Sequence, residues 1–266
     1  MEEQQVFVQV NQRNKHWVWN IHRPDRANAL GTTIATELAE ELASLKKLLS
    51  KDAEKIRSLT ISATPLSKPS GAPVWIAGGD LKELASLKNK KAARAYAATL
   101  SQLCFDLEKL PIPVIVAIDG AAIGGGAELA LAGDVRFATV RSTFIFKQLD
   151  VGLATGYGGA HRLVNLIGKC WSQNLLYLGN SVNAEQALGM GLLHGVYSDA
   201  ASLEDGIRSF TARVEALDPK AFATQKLMIN QAGDHSRLSA KSSELALFEK
   251  LWRNPAHEKF LEKFGK

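Results

Sequence analysis

Ile118-Asp119-Gly120-Ala121-Ala122-Ile123-Gly124-Gly125-Gly126-Ala127-Glu128-Leu129-Ala130-Leu131-Ala132 is the stretch on which the fold turns. It continues an unbroken apolar run, Val114 to Ile118, of the kind a strand buried on both faces requires. Successive glycines then enter an Ala/Leu segment, so a helix is expected over Ala127 to Ala132. Glycine lets a ligand approach the backbone closely, and the free amides of a helix N-terminus favour a negative oxygen. G-x-G-x-x-G is absent and no Gly-Lys-Ser/Thr follows, so this is neither a dinucleotide fingerprint nor a P-loop. Glu128 sits in the first helical turn between Ala and Leu, a poor place for a solvated charge. It is either a functional carboxylate or a complement to the helix dipole.

Two further glycine turns flank this one. Val74-Trp75-Ile76-Ala77-Gly78-Gly79-Asp80-Leu81-Lys82-Glu83 reads as a strand, two glycines and a helix starting at Leu81. Asp80 and Glu83 form a capping-box-like start. Phe146 to Leu163 contains Gln148, Asp150 and Gly156-Tyr157-Gly158-Gly159, where Gly158-Gly159 opens another helix.

The surrounding pattern fits. Short strands are expected over Val6–Val10 and Trp17–Ile21, joined by a turn at Asn11 to Lys15. A helix is expected over Thr33 to Ser50, with Ile34, Leu38, Leu42, Leu45 and Leu49 on one face. Leu59 to Ile61 reads as a strand, Pro65 to Pro73 as a surface loop, Ala92 to Leu110 as a helix, and Val135–Ala138 and Thr143–Phe146 as strands. Strands alternating with helices through about residue 200 predict an α/β fold with mainly parallel sheet. After that the strand signals stop and helices are expected over Ser202–Leu217, Pro219–Gln231, Ser236–Trp252 and Pro255–Phe264. The chain therefore divides at about residue 200 into an α/β part, 1–200, and a helical part, 201–266, whose apolar faces need an oligomer contact.

Composition narrows the function. The 266 residues are 46% hydrophobic and 22% charged, which excludes a disordered chain. The two cysteines, Cys104 and Cys170, form no CxxC pair, so a disulfide scaffold or Cys-rich zinc site is not expected and a reducing compartment fits. The six histidines show no HxxxH-type spacing, and no metal site is expected. The net charge of +5 is scattered rather than gathered in a basic stripe with aromatics, so nucleic acid is not an expected partner. The N-terminus is acidic and polar, unlike a signal peptide, and Pro113 to Gly133 carries too many charges and glycines to span a membrane.

Taken together, the motifs resemble the crotonase, or enoyl-CoA hydratase/isomerase, superfamily. The Ala-Gly-x-Asp-Leu turn falls on Ala77 to Leu81, the Asp-Gly-x-x-x-Gly-Gly-Gly-x-Glu-Leu-Ala run on Asp119 to Ala130, and the Asp-Val-Arg strand on Asp134 to Arg136. The likeness extends from Arg23-Pro24 through Asn183 to Ala187 to Phe260-Leu261-Glu262-Lys263, in register over nearly the whole chain. It implies a spiral of ββα units with a C-terminal helical trimerisation region, a homotrimer or dimer of trimers, and a cytoplasmic enzyme of acyl-CoA thioesters. Coenzyme A would enter as part of the substrate, with no separate cofactor. The resemblance places a two-amide oxyanion hole on Gly79 and Gly125, and an acid/base on Glu128. Two fixed donors aimed at a developing enolate oxygen stabilise the transition state. It places Arg26, Ala27, Ala77, Asp80, Leu81 and Lys82 along CoA, with Arg26 and Lys82 toward the phosphates, and Phe260 and Lys263 at its C-terminal contacts.

The chain departs from that pattern at Gln148, which stands where family hydratases carry a second glutamate. A glutamine neither takes nor gives a proton at neutral pH; it orients water or substrate. Asp150, two residues on, is either a substitute or structural. Hydration with Gln148 holding the water, double-bond isomerisation, and decarboxylation of a malonyl-type thioester all remain open, as does a catalytically weak CoA-thioester-binding protein.

Overall fold

The computed structural model describes residues 6–68, 71–87 and 89–234. In chain order the strands and helices are β1 Val8–Arg13, β2 His16–Ile21, α1 Thr32–Lys51, β3 Ser58–Ala63, β4 Leu66–Lys68, β5 Gly71–Ile76, α2 Leu81–Ser86 and α3 Lys90–Glu108. Then come β6 Val114–Ile118, β7 Ala121–Ile123, α4 Gly125–Leu131, β8 Val135–Thr139, β9 Thr143–Ile145, α5 Gly159–Leu178, β10 Val182–Asn183, α6 Ala184–Gly189, β11 Gly195–Tyr197, α7 Ala200–Glu215 and α8 Pro219–Asp234. The helices expected over Ser236–Trp252 and Pro255–Phe264 lie outside the described residues.

Two sheets form. The first has the order β1-β2-β3-β6-β8-β11 and is parallel except for the β1/β2 hairpin. The second has the order β10-β9-β7-β5-β4, with β5, β7 and β9 parallel and an antiparallel strand at each edge. The chain repeatedly leaves a strand of the first sheet, turns a corner into the second and enters a helix: β6-β7-α4 and β8-β9-α5 are such units.

The corner between β6 and β7 shows why the motif has its glycine. Gly120 adopts φ +124°, and a Cβ there would lie 2.5 Å from the Pro73 carbonyl oxygen. Asp119 braces the same corner, accepting from Thr139 Oγ1 at 2.7 Å and from Arg141 Nε and Nη2 at 2.6 Å each. Burial pushes the Asp119 carboxyl up, but the Arg141 and Thr139 hydrogen bonds outweigh it and hold it below its usual range.

The core lies between the inner face of the first sheet and the helices. Trp17, Trp19 and Ile21 of β2 meet Leu59 and Ile61 of β3 and the apolar stripe of α1, which is the expected Ile34, Leu38, Leu42, Leu45 and Leu49 with Ala35 added. Full burial of each such Leu or Ile contributes about 1.5–3 kcal/mol. On the sheet's outer face α7 packs on β6, β8 and β11, where Leu203, Ile207 and Phe210 meet Ile115 and Phe137.

Three segments differ from expectation. The turn after β1 shrinks to Asn14-Lys15, with Asn14 at φ +54°, because exposed edge residues Asn11 to Arg13 stay paired with β2. Within Pro65 to Pro73 the described residues supply β4 and the start of β5 rather than a loop. Pro73 is tolerated because β5 begins to pair with β7 only at Val74. The small residues Ala121 to Ile123 form β7, which completes the path from the first sheet into the second.

Candidate active site

The β5–α2 turn and the β7–α4 turn lie side by side, as β5 and β7 are neighbours in the second sheet. Gly78, at φ +96°, would place a Cβ 2.8 Å from the Ile123 carbonyl oxygen and 3.2 Å from the Gly125 nitrogen. A Cβ on Gly125 would lie 3.4 Å from the Gly79 nitrogen. The two turns therefore bring the Gly79 and Gly125 amides close together. No loop or turn hydrogen bond among the described residues uses either of them, and Gly125 opens α4, where helix amides have no partner of their own. Gly126 follows because a Cβ there would meet the Ile76 carbonyl oxygen at 2.5 Å.

Glu128 is 1% exposed and accepts four hydrogen bonds. Oε1 takes Gln148 Nε2 at 2.8 Å and the Gly156 amide at 3.2 Å; Oε2 takes the Tyr157 amide at 2.8 Å and the Gly159 amide at 3.0 Å. The carboxylate thus binds the N-terminus of α5, a different helix from its own, and fastens the 156–159 turn beside the glycine pair. Gln148 and Glu128, which the family resemblance pairs, are brought together. Gln148 must present its amide nitrogen to the carboxylate, and its Oε1 is left buried with no partner. Asp150 is not there: a 3₁₀ turn at Leu149–Val151 carries it to the surface, where it pairs with Lys147 at 2.7 Å.

The segment expected along CoA does run past this site. Asn28 is fully buried; it accepts from the Arg23 amide and donates to the Thr64 and Trp75 carbonyls. Ala27 turns at φ +50° and its carbonyl accepts from the Ala77 amide at 3.1 Å, while Leu30 donates to the Gly78 carbonyl at 2.6 Å. Asp80 caps α2, accepting from the Lys82 and Glu83 amides, and pairs with Arg23 at 3.0 Å, so its carboxylate is occupied structurally. Leu81 is 66% exposed and Lys82 is exposed beside it; Arg26 is half-buried next to Asp25. Phe260 and Lys263 lie outside the described residues.

Two residues at the site went unassigned in the sequence, Tyr96 and Tyr157. A Cβ on Gly79 would meet Tyr96 Oη at 3.3 Å and Tyr157 Oη at 3.7 Å; one on Gly125 would meet Tyr157 Cε2 at 2.6 Å. The one available signal was an aromatic between glycines at the opening of α5. Among the described residues no group of three His, Cys, Asp or Glu is placed to hold a metal, and no helix is long and apolar enough to cross a membrane.

Comparison with known proteins agrees with this architecture. The family model for enoyl-CoA hydratase/isomerase matches residues 14–265. The enoyl-CoA isomerase/hydratase fer4 of Mycosarcoma maydis is 29% identical over 245 residues, 92% of this chain and 87% of its own. The crystal structure of enoyl-CoA hydratase from Bacillus anthracis superposes with a TM-score of 0.87 at 25% identity, covering 97% of this chain and 96% of that one. That of the enoyl-CoA hydratase from Thermoplasma volcanium GSS1 gives 0.84 at 25% identity, covering 98% of each. The chain belongs to the enoyl-CoA hydratase/isomerase family, and its fold is the crotonase fold.

Proposed function

We propose that the protein is an acyl-CoA enzyme that works through a thioester enolate, with hydration of a short 2-enoyl-CoA as its reaction. The observation that carries this reading is the proximity of the Gly79 and Gly125 amides beside Glu128 and Gln148. The two amides would bind the thioester oxygen as it gains charge, worth about 3 kcal/mol per donor in comparable sites. Of the four donors on Glu128, only the Gln148 amide is a side chain, and so only it withdraws by a rotamer change. Its withdrawal frees Oε1 to take a proton from a water held by Gln148 Oε1.

Exposed Leu81 and Lys82, with Arg26 and the Ala27 and Ala77 backbone, are the described candidates for CoA; Phe260 and Lys263 remain candidates beyond them. Assembly into trimers or dimers of trimers is supported by large apolar side chains left exposed on α5, Trp171, Tyr177 and Leu178. A reducing, cytoplasmic setting accords with two free cysteines, Cys104 buried and Cys170 exposed.

A second reading is favoured by Gln148 itself. Isomerisation of a 3-enoyl thioester, or decarboxylation of a malonyl-type thioester, needs fewer ionisable groups than two-carboxylate hydration. Loss of the conjugated-thioester absorbance of crotonyl-CoA separates the readings. Turnover that Gln148→Glu increases supports hydration; no loss with crotonyl-CoA but turnover of methylmalonyl-CoA or 3-enoyl-CoA supports the second. No turnover of any of them refutes both.

A further inference from the structure

Tyr157 stands against both donor glycines. Its ring edge packs on Gly125 and its hydroxyl faces the Gly79 α-carbon, while its own backbone amide holds Glu128. The side chain is 6% exposed. The Tyr96 hydroxyl lies at the same place, 3.3 Å from a Cβ on Gly79 where that of Tyr157 is 3.7 Å away. The Tyr96 proton goes to the Leu30 carbonyl at 2.5 Å and its oxygen accepts the Asp80 amide at 3.1 Å. Tyr96 thus has no proton left for the substrate, and the Tyr157 hydroxyl keeps its own at the glycine pair.

An enolate held by those amides needs a proton at its α-carbon. Gln148 has none to give. Both oxygens of Glu128 face donors, and Asp150 is at the surface with Lys147. The side-chain atoms that a methyl group on Gly79 would meet belong to Leu84, Tyr96 and Tyr157. We propose that the Tyr157 hydroxyl is the catalytic proton donor to the α-carbon, a role that rests on the acyl-CoA reading above.

In that step the Tyr157 O–H bond breaks and a Cα–H bond forms. The enolate's Cα=C electron pair makes the new bond, and the oxyanion returns to a thioester carbonyl. The phenolate left behind accepts a hydrogen bond from Tyr96, whose hydroxyl turns away from Leu30, and recovers its proton from water. In hydration the proton lost by the attacking water goes to Glu128 and then to solvent, so protons balance over the cycle. Burial, with the neighbouring Tyr96 and Glu128, raises the Tyr157 phenol above its usual range, so it carries the proton at neutral pH.

Two assays on the full-length protein test this: hydration of crotonyl-CoA, and exchange of the α-protons of butyryl-CoA in deuterium oxide. Tyr157→Phe keeps the ring on Gly125 and removes only the hydroxyl. The expected result is a loss of about 100-fold or more in kcat and in exchange, with KM within about twofold. Tyr96→Phe leaves the Tyr157 hydroxyl without its backing and is expected to show a smaller loss in both; it carries the test independently if Tyr157→Phe lacks the wild-type circular dichroism spectrum. Wild-type exchange in Tyr157→Phe, or a change in KM alone, overturns the proposal and leaves the acyl-CoA reading standing. A wild-type protein that neither turns over nor exchanges any thioester overturns both.

Discussion

Replacing Glu128 by Gln tests whether that carboxylate is scaffold as well as chemistry. Four donors converge on it, three of them backbone amides. A glutamine supplies one oxygen and one NH2 group. The best arrangement keeps its oxygen on the Tyr157 and Gly159 amides and turns its NH2 toward Gln148, whose amide flips to accept. The Gly156 amide, already the longest contact at 3.2 Å, is then orphaned. One buried unpaired donor costs about 1–3 kcal/mol, and losing charge on the remaining backbone bonds about 1 kcal/mol each. The expected destabilisation is about 3–5 kcal/mol, a large share of the 5–15 kcal/mol typical of a folded domain. Urea unfolding, followed by tryptophan fluorescence at fixed protein concentration, would show a midpoint lower by about 1 M or more for a slope near 3 kcal/mol/M. An unchanged midpoint refutes the scaffold role, and any activity loss in this variant would then report chemistry alone.

Gly120→Ala should destabilise by about 3 kcal/mol or prevent folding, since its φ is positive and the new Cβ meets the Pro73 carbonyl; an unfolding midpoint at the wild-type value would contradict this. Burial, then the nearby Arg13, lowers the His16 imidazole from 6.5 to about 4 despite its Ser58 hydrogen bond. The unfolded chain therefore gains a proton before the folded one. His16 contributes fully above pH 6.5 and loses up to about 3 kcal/mol as pH falls toward 4; His16→Asn should flatten that slope in urea melts between pH 7 and 4.5. Lys226 is 7% exposed and bonds Asp134 at 2.6 Å and the Ile112 carbonyl at 3.0 Å. Lys226→Met leaves Asp134 without its cation and should cost about 3 kcal/mol by the same melts, with no cost if the pair is dispensable.

What could be read from the sequence was local. The α1 stripe, the Asp80 cap and the glycine turn into α4 each depend on neighbours a few residues away, and each stands where the spacing put it. What escaped was set by distant partners. Pro65 to Pro73 reads as a loop because its strand character depends on β5, which is itself held by the pairing of Val74 and Ile76 with distant β7. Asp150 looks aligned with Gln148 until the 3₁₀ turn rotates it out. Nothing near Glu128 in sequence announces that its acceptor sites are filled from residues 20 to 31 positions later. Tyr157 was hidden for the same reason: its meaning lies in Gly79 and Gly125, which precede it by whole supersecondary units.

The same hydrogen bonds therefore build the site and constrain its chemistry. Glu128 fixes the 156–159 turn to α4; that turn sets the Tyr157 ring on Gly125 and its hydroxyl at Gly79, beside Tyr96, which is tied to Leu30 and to the amide of Asp80. These contacts surround the two amides, so their separation is held from both sides. Replacing a second glutamate by Gln148 leaves those contacts intact, because the amide serves Glu128 as a donor where an ionised carboxylate would repel it. On the function proposed above, the geometry that would hold an enolate does not depend on a second ionisable group. On that reading the two amides supply the electrostatic stabilisation, and the source of the protons is where the choice of one reaction over another lies.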